Sequence, residues 1–218
     1  MITLSITSSD PQCDELLRAK WATAEDHAVA QKKSNEKLQQ KFLLARAIVR
    51  ALLFHVTGDT NWRIIPDAKG KPYVCKDNGQ SGPNISLSHT EGLTACALSW
   101  ENPLGIDVEY WRPRDFKALA DFAFSARECN EIATEGMSAF YRIWTLKEAV
   151  SKLTGKGIFA ILHNKECFAG NSVHGYQTKE NWQLFYMQPK TNYSLAVATV
   201  GENGWAENAI TWVDPANI

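Results

Sequence analysis

Trp144-Thr145-Leu146-Lys147-Glu148-Ala149-Val150-Ser151-Lys152-Leu153-Thr154-Gly155 is the stretch on which the architecture turns. Its apolar positions recur at helical spacing and a glycine follows the last of them. The sequence therefore predicts a long helix over residues 139–153 that stops at Thr154-Gly155. An earlier helix, over residues 38–56 with Phe42, Ala45, Val49 and Leu52 on one stripe, runs into the similar Val56-Thr57-Gly58. The apolar run 93–100 has a counterpart in 195–200. Helix, strands and hairpin thus come round twice, with a seam near Leu104. Two such short echoes leave internal duplication and coincidence both open.

Outward from these segments, residues 2–6 alternate apolar and polar as an opening strand does. Residues 13–41 are polar and helix-prone, with Lys32, Lys33 and Lys37 clustered. Gly70-Lys71-Pro72 and Gly82-Pro83 mark turns. Residues 85–88 and 93–100 read as strands joined by a loop over 88–92, and 104–110 as a further strand. A short amphipathic helix is expected over 116–124, and tail strands over 182–187, 193–200 and 210–213. The reading is a mixed α/β (α+β) fold of two subdomains, residues 1–103 and 104–218, closely packed because no long linker parts them.

The chain has 218 residues, 44% of them hydrophobic, which is enough for a core and excludes wholesale disorder. Its net charge of −1 argues against a surface built to grip nucleic acid or an anionic membrane, but allows a local basic site. Residues 1–9 lack a signal-peptide pattern, and no run approaches the ~20 apolar residues that span a bilayer. Cys13, Cys75, Cys96, Cys129 and Cys167 show no CxxC spacing, and Cys96 and Cys167 sit in apolar runs as small core residues do. That set fits a reducing cytoplasm rather than a disulfide framework.

Chemistry gathers at three places. In Gly105-Ile106-Asp107-Val108-Glu109, the strand period turns both acids to one face, as a solvated pair or around a hard cation such as Mg²⁺ or Mn²⁺. In the long helix, Trp144, Glu148 and Lys152 share a face. Glu148 and Lys152 make either an ordinary surface ion pair or a third metal carboxylate beside a phosphate-binding lysine, with Lys147 and Gly155-Lys156-Gly157 adding positive potential. In Ser86-Leu87-Ser88-His89-Thr90-Glu91-Gly92, His89 is either a locally bonded turn histidine or part of a phosphate site. His27, His55, His163 and His174 have no such company and no zinc spacing. Lys41, Arg46, Arg50 and Lys71 are solvated cations singly; with His89 they would make a pocket for a multiply phosphorylated ligand.

These motifs together resemble the Sfp-type 4'-phosphopantetheinyl transferases. The resemblance rests on Gly70-Lys71-Pro72, Ile85-Ser86-Leu87-Ser88-His89-Thr90, Gly105-Ile106-Asp107-Val108-Glu109, Phe124-Ser125-Ala126-Arg127-Glu128, and Trp144 to Ala149 with Lys152 and Gly155-Lys156-Gly157. It implies two similar α/β halves related by pseudo-twofold symmetry, with coenzyme A and Mg²⁺ (or Mn²⁺) in the cleft between them. By that resemblance Asp107, Glu109 and Glu148 hold the metal and Lys152 contacts the phosphates; the serine proton is expected to pass to Glu148, directly or through a metal-bound water. Ser88, His89, Lys41 and Arg46 belong to the nucleotide site, Lys71 lies near the adenine, and Glu128 is a secondary candidate at the metal. Ser86 stands where the family often has asparagine, and Lys41 where arginine is commoner, which alters the details of nucleotide contact.

The implied reaction moves phosphopantetheine from coenzyme A to a serine of an acyl or peptidyl carrier protein and releases 3',5'-ADP. The nucleophile is the partner's, so no Ser-His-Asp or Cys-His set is needed. Residues 111–124, with Phe116, Leu119, Phe122, Arg112 and Arg114, are the expected dock for an acidic carrier. A cytoplasmic monomer is expected. The rival readings are a metal-dependent phosphohydrolase or nuclease, and a non-catalytic nucleotide- or carrier-binding module.

Overall fold

The computed structural model describes residues 1–67, 70–163, 168, 174–177, 181–201 and 210–218. Cys167 and the side chains of His163 and His174 lie outside the described set. Contacts divide the chain into two compact units: Met1–Leu87 with Gly92–Glu101 and Ile210–Ile218, and Ser88–Glu91 with Asn102–Ala209.

The first unit begins with β1 (Ile2–Ser8), α1 (Pro11–Trp21), α2 (Ala24–Ala30) and α3 (Glu36–Thr57). It continues through β2 (Arg63–Pro66), β3 (Pro72–Cys75), β4 (Asn84–Thr90) and β5 (Leu93–Ser99). Asn35 caps α3 by accepting the Leu38 N–H, and Gly58 ends it at φ +66°. The stripe that α3 buries matches the expected one at Val49 and Leu52 and departs from it at Phe42 and Ala45. Leu44, Ile48, Leu52 and Leu53 pack with Trp62, Ile64, Val74, Ile85 and Leu98, while Phe42 and Ala45 stay half-exposed. The expected loop over 88–92 is shorter, because β4 continues through His89 and Thr90 and leaves Glu91-Gly92 as the turn.

The second unit holds β6 (Leu104–Tyr110), α4 (Phe116–Ala123), α5 (Ala126–Glu135), α6 (Met137–Thr154) and α7 (Ile158–His163). It closes with β7 (His174–Gln177), β8 (Trp182–Met187) and β9 (Tyr193–Val200) in a sheet ordered β6-β9-β8-β7. Phe140, Ile143, Leu146, Ala149 and Val150 of α6 are fully buried against Leu184, Ala196 and Ala198 of that sheet. Gly155 ends α6 at φ +64°. The two helix endings use the same chemistry: Thr57 Oγ1 donates to Leu53 O at 2.6 Å, and Thr154 Oγ1 to Val150 O at 3.0 Å. Finally β10 (Ile210–Trp212) pairs parallel with β1, so the C-terminal residues return to the first unit, whose sheet runs β10-β1-β5-β4.

Candidate active site

In β6, Ile106 and Val108 are buried on one face, and Gly105, Asp107 and Glu109 occupy the other. That second face meets α6. A Cβ on Gly105 would fall 2.0 Å from Ala149 O and 2.5 Å from Leu153 N, so only glycine lets the helix backbone come this close. The contact sets the acids of β6 against the Trp144–Glu148–Lys152 face of α6. Asp107 is thereby taken out of solvent, while Glu109 stays half-buried.

Asp107 is 4% exposed. Its Oδ1 accepts from Lys152 Nζ and from Ser88 Oγ, each at 2.8 Å, while Oδ2 is buried with no hydrogen-bond partner among the described residues. Glu109 Oε1 accepts from the Trp144 indole N–H at 3.2 Å. Burial, then the charge of Asp107, pushes the Glu109 carboxyl above the usual carboxylate range, against the opposing pull of Trp144, Arg114 and Lys152. The same two causes push Glu148 up to about 7, where Lys152 lowers it and Glu109 raises it further.

Among the described residues, three partly desolvated acids therefore share the Lys152 ammonium, with Arg114 also acting on Glu109, and one buried carboxylate oxygen is unmatched. Among the described residues, no three His, Cys, Asp or Glu side chains are preassembled around one point. Lys152 sits on Asp107 instead. The donor set of hard oxygens, with an unpartnered Asp107 Oδ2, fits a small divalent cation such as Mg²⁺.

Other expected site residues stand differently. Glu128 is fully buried: its Oε2 accepts Ser125 N at 2.7 Å, its Oε1 accepts Phe168 N at 2.8 Å, and Lys147 Nζ lies 3.2 Å from Oε1. It caps α5 and neutralises Lys147, which is 1% exposed over the Phe124 and Phe168 rings. Ser88 is buried and bonded to Asp107, whereas His89, next along β4, is exposed and so lies on the opposite pleat.

In the first unit, Lys41 is exposed on α3, and burial draws the half-exposed Lys71 ammonium below its ordinary range. Arg46 is tied into its own fold, donating to Ile64 O at 2.7 Å and lying 3.8 Å from Asp26. Arg50 completes that network through Asp26 at 2.9 Å and Trp62 O at 2.7 Å. Of the expected docking residues, Phe116 packs on Phe140 and Leu119 on the core, whereas Phe122 is 71% exposed. Arg112 pairs with Glu91, and Arg114 lies over the rings of Phe140 and Tyr141.

A strand and a helix of the second unit thus bring three acids and a lysine together. The family model of the 4'-phosphopantetheinyl transferase superfamily matches residues 103–198, the span that carries β6 and α6. The chain is 31% identical over 199 residues to "4'-phosphopantetheinyl transferase HetI" of Nostoc sp., covering 88% of this chain and 79% of HetI. It is 30% identical over 173 residues to "4'-phosphopantetheinyl transferase AcpT" of Escherichia coli K12, covering 77% and 81% respectively. A shorter match, 30% over 131 residues, links it to "4'-phosphopantetheinyl transferase gsp" of Aneurinibacillus migulanus, over 57% and 52%. The chain belongs to the 4'-phosphopantetheinyl transferase superfamily.

Proposed function

We propose that Asp107, Glu109, Glu148 and Lys152 carry out this superfamily's reaction here. In it, 4'-phosphopantetheine passes from coenzyme A to a serine of an acyl or peptidyl carrier protein, with release of 3',5'-ADP. The observation that carries this reading is the unmatched, buried Asp107 Oδ2 beside two further acids with raised proton affinity. Asp107, Glu109 and Glu148 would hold Mg²⁺, or Mn²⁺, which when bound offsets charge on the pyrophosphate and on the departing oxygen.

Lys152, 30% exposed at its side chain, is long enough to exchange Asp107 for a phosphate oxygen and to steady the leaving nucleotide. Glu148, directly or through a metal-bound water, would accept the serine proton. Trp144 holds Glu109 in place through its N–H. Lys41, Lys71 and His89 are the proposed contacts for the 3'-phosphate end and adenine of coenzyme A, with Arg46 supporting α3 from within. An acidic carrier would dock at Phe122, Arg112 and Arg114, beside the half-buried Phe116. The reading also makes the enzyme a cytoplasmic monomer; no helix among the described residues is long and apolar enough to cross a membrane.

The test is 3',5'-ADP release from coenzyme A and Mg²⁺, with and without an apo-carrier protein. Release that requires the carrier marks transfer. Release without it would mark a phosphohydrolase, and none under either condition would mark a binding module.

A further inference from the structure

The Asp107 carboxylate is held through one oxygen only. Ser88 Oγ and Lys152 Nζ both reach Oδ1 at 2.8 Å, and Oδ2 is buried with no partner among the described residues. The two holding groups differ in kind. Lys152 is long, partly exposed, and the group that leaves for a phosphate in the reading above. Ser88 is 7% exposed, has a single short rotor and is fixed on β4. Once Lys152 departs, the Ser88 hydroxyl is the bond that remains on Oδ1. An Asp carboxylate turns easily about its last torsion, so without that bond the orientation presenting Oδ2 would be one of several.

We propose that Ser88 is a positioning residue for Asp107. Its hydroxyl fixes the carboxylate through Oδ1 so that Oδ2 faces the metal, a role distinct from contact with the nucleotide. The inference rests on the metal reading of Asp107. The opposite exposure of Ser88 and His89 agrees with it, since their side chains leave β4 on opposite faces.

Ser88→Ala, Ser88→Thr and Asp107→Ala, each confirmed as folded by circular dichroism, are titrated with Mn²⁺ in saturating coenzyme A without carrier. Free Mn²⁺ is read by electron paramagnetic resonance, and coenzyme A affinity without metal by calorimetry. Ser88→Ala is expected to weaken Mn²⁺ binding about tenfold, with metal-free coenzyme A affinity unchanged, and Ser88→Thr to restore it. Should Ser88→Ala not fold, Ser88→Cys replaces it with the same expectation. Unaltered Mn²⁺ affinity in the serine variant, with Asp107→Ala having lost it, overturns the positioning role alone. Weaker metal-free coenzyme A binding with intact Mn²⁺ affinity would assign Ser88 to the nucleotide. Wild-type Mn²⁺ affinity in Asp107→Ala overturns the metal reading and this inference with it.

Discussion

Gly105 and Ala149 approach so closely that a Cβ on the glycine would stand 2.0 Å from the Ala149 carbonyl oxygen. The neighbour is helix backbone, which cannot swing aside as a side chain would. Gly105→Ala must therefore push α6 away from β6 or distort it. We expect a loss of about 3 kcal/mol in chemical denaturation, together with a steep fall in turnover. Wild-type stability and turnover in this variant would mean that the helix is not seated on the strand.

Lys152→Ala should lower turnover by about two to three orders of magnitude, as loss of one group that meets developing charge does. Lys152→Arg keeps the charge but changes its shape and should recover part of the rate. The check is the steady-state rate at saturating coenzyme A; an unchanged rate in Lys152→Ala removes the residue from the mechanism.

The raised Glu148 carboxyl makes stability depend on pH. Its folded value of about 7 exceeds the ordinary 4.5, so between those values the folded protein keeps a proton that the unfolded chain has lost. Its contribution is full below about 4.5 and is lost as pH rises through about 7. Glu148→Gln is uncharged at every pH. The metal-free variant should therefore gain on wild type across that interval and hold a constant lead above it, of at most about 2 kcal/mol after solvent screening. Parallel stability curves would remove Glu148 as the source. Because metal binding needs the carboxylate, Mg²⁺ affinity should rise with pH over the same range.

Lys147→Met removes one partner of an ion pair buried on both sides and leaves Glu128 charged in the interior. The expected cost is about 3–5 kcal/mol, measured by thermal or chemical unfolding. A loss below about 1 kcal/mol would mean that the pair does not help hold α5 to α6.

Several of these features were legible in the sequence. The strand over Leu104–Tyr110, the tail strands, the long helix through Glu148 and both helix endings at Thr-Gly follow from period and capping chemistry. A glycine inside the β6 pattern already signals a close backbone approach. α5 was not foreseen, although Ser125 and Glu128 form the capping box that starts it. β2 and β3 are too short to carry a period of their own, and only the Gly70 turn marked their place.

The site was legible in its residue types and less so in their partners. Glu128 was expected at the metal and Lys147 as added positive potential, because sequence spacing does not report burial; instead the two are buried and paired across α5 and α6. The Ser88–Asp107 bond joins residues on different strands, beyond the reach of any local pattern. Arg46 and Arg50 look like free cations until Asp26 and the Ile64 and Trp62 carbonyls are placed beside them.

The most direct measurement is the intact mass of an apo-carrier protein after incubation with coenzyme A, Mg²⁺ and either wild-type enzyme or folded Asp107→Ala. The wild type should add one phosphopantetheine to the carrier and lose that ability on chelation of Mg²⁺, while Asp107→Ala should leave the carrier unmodified. Equal modification by both proteins would contradict the assignment of the β6 and α6 acids to the reaction.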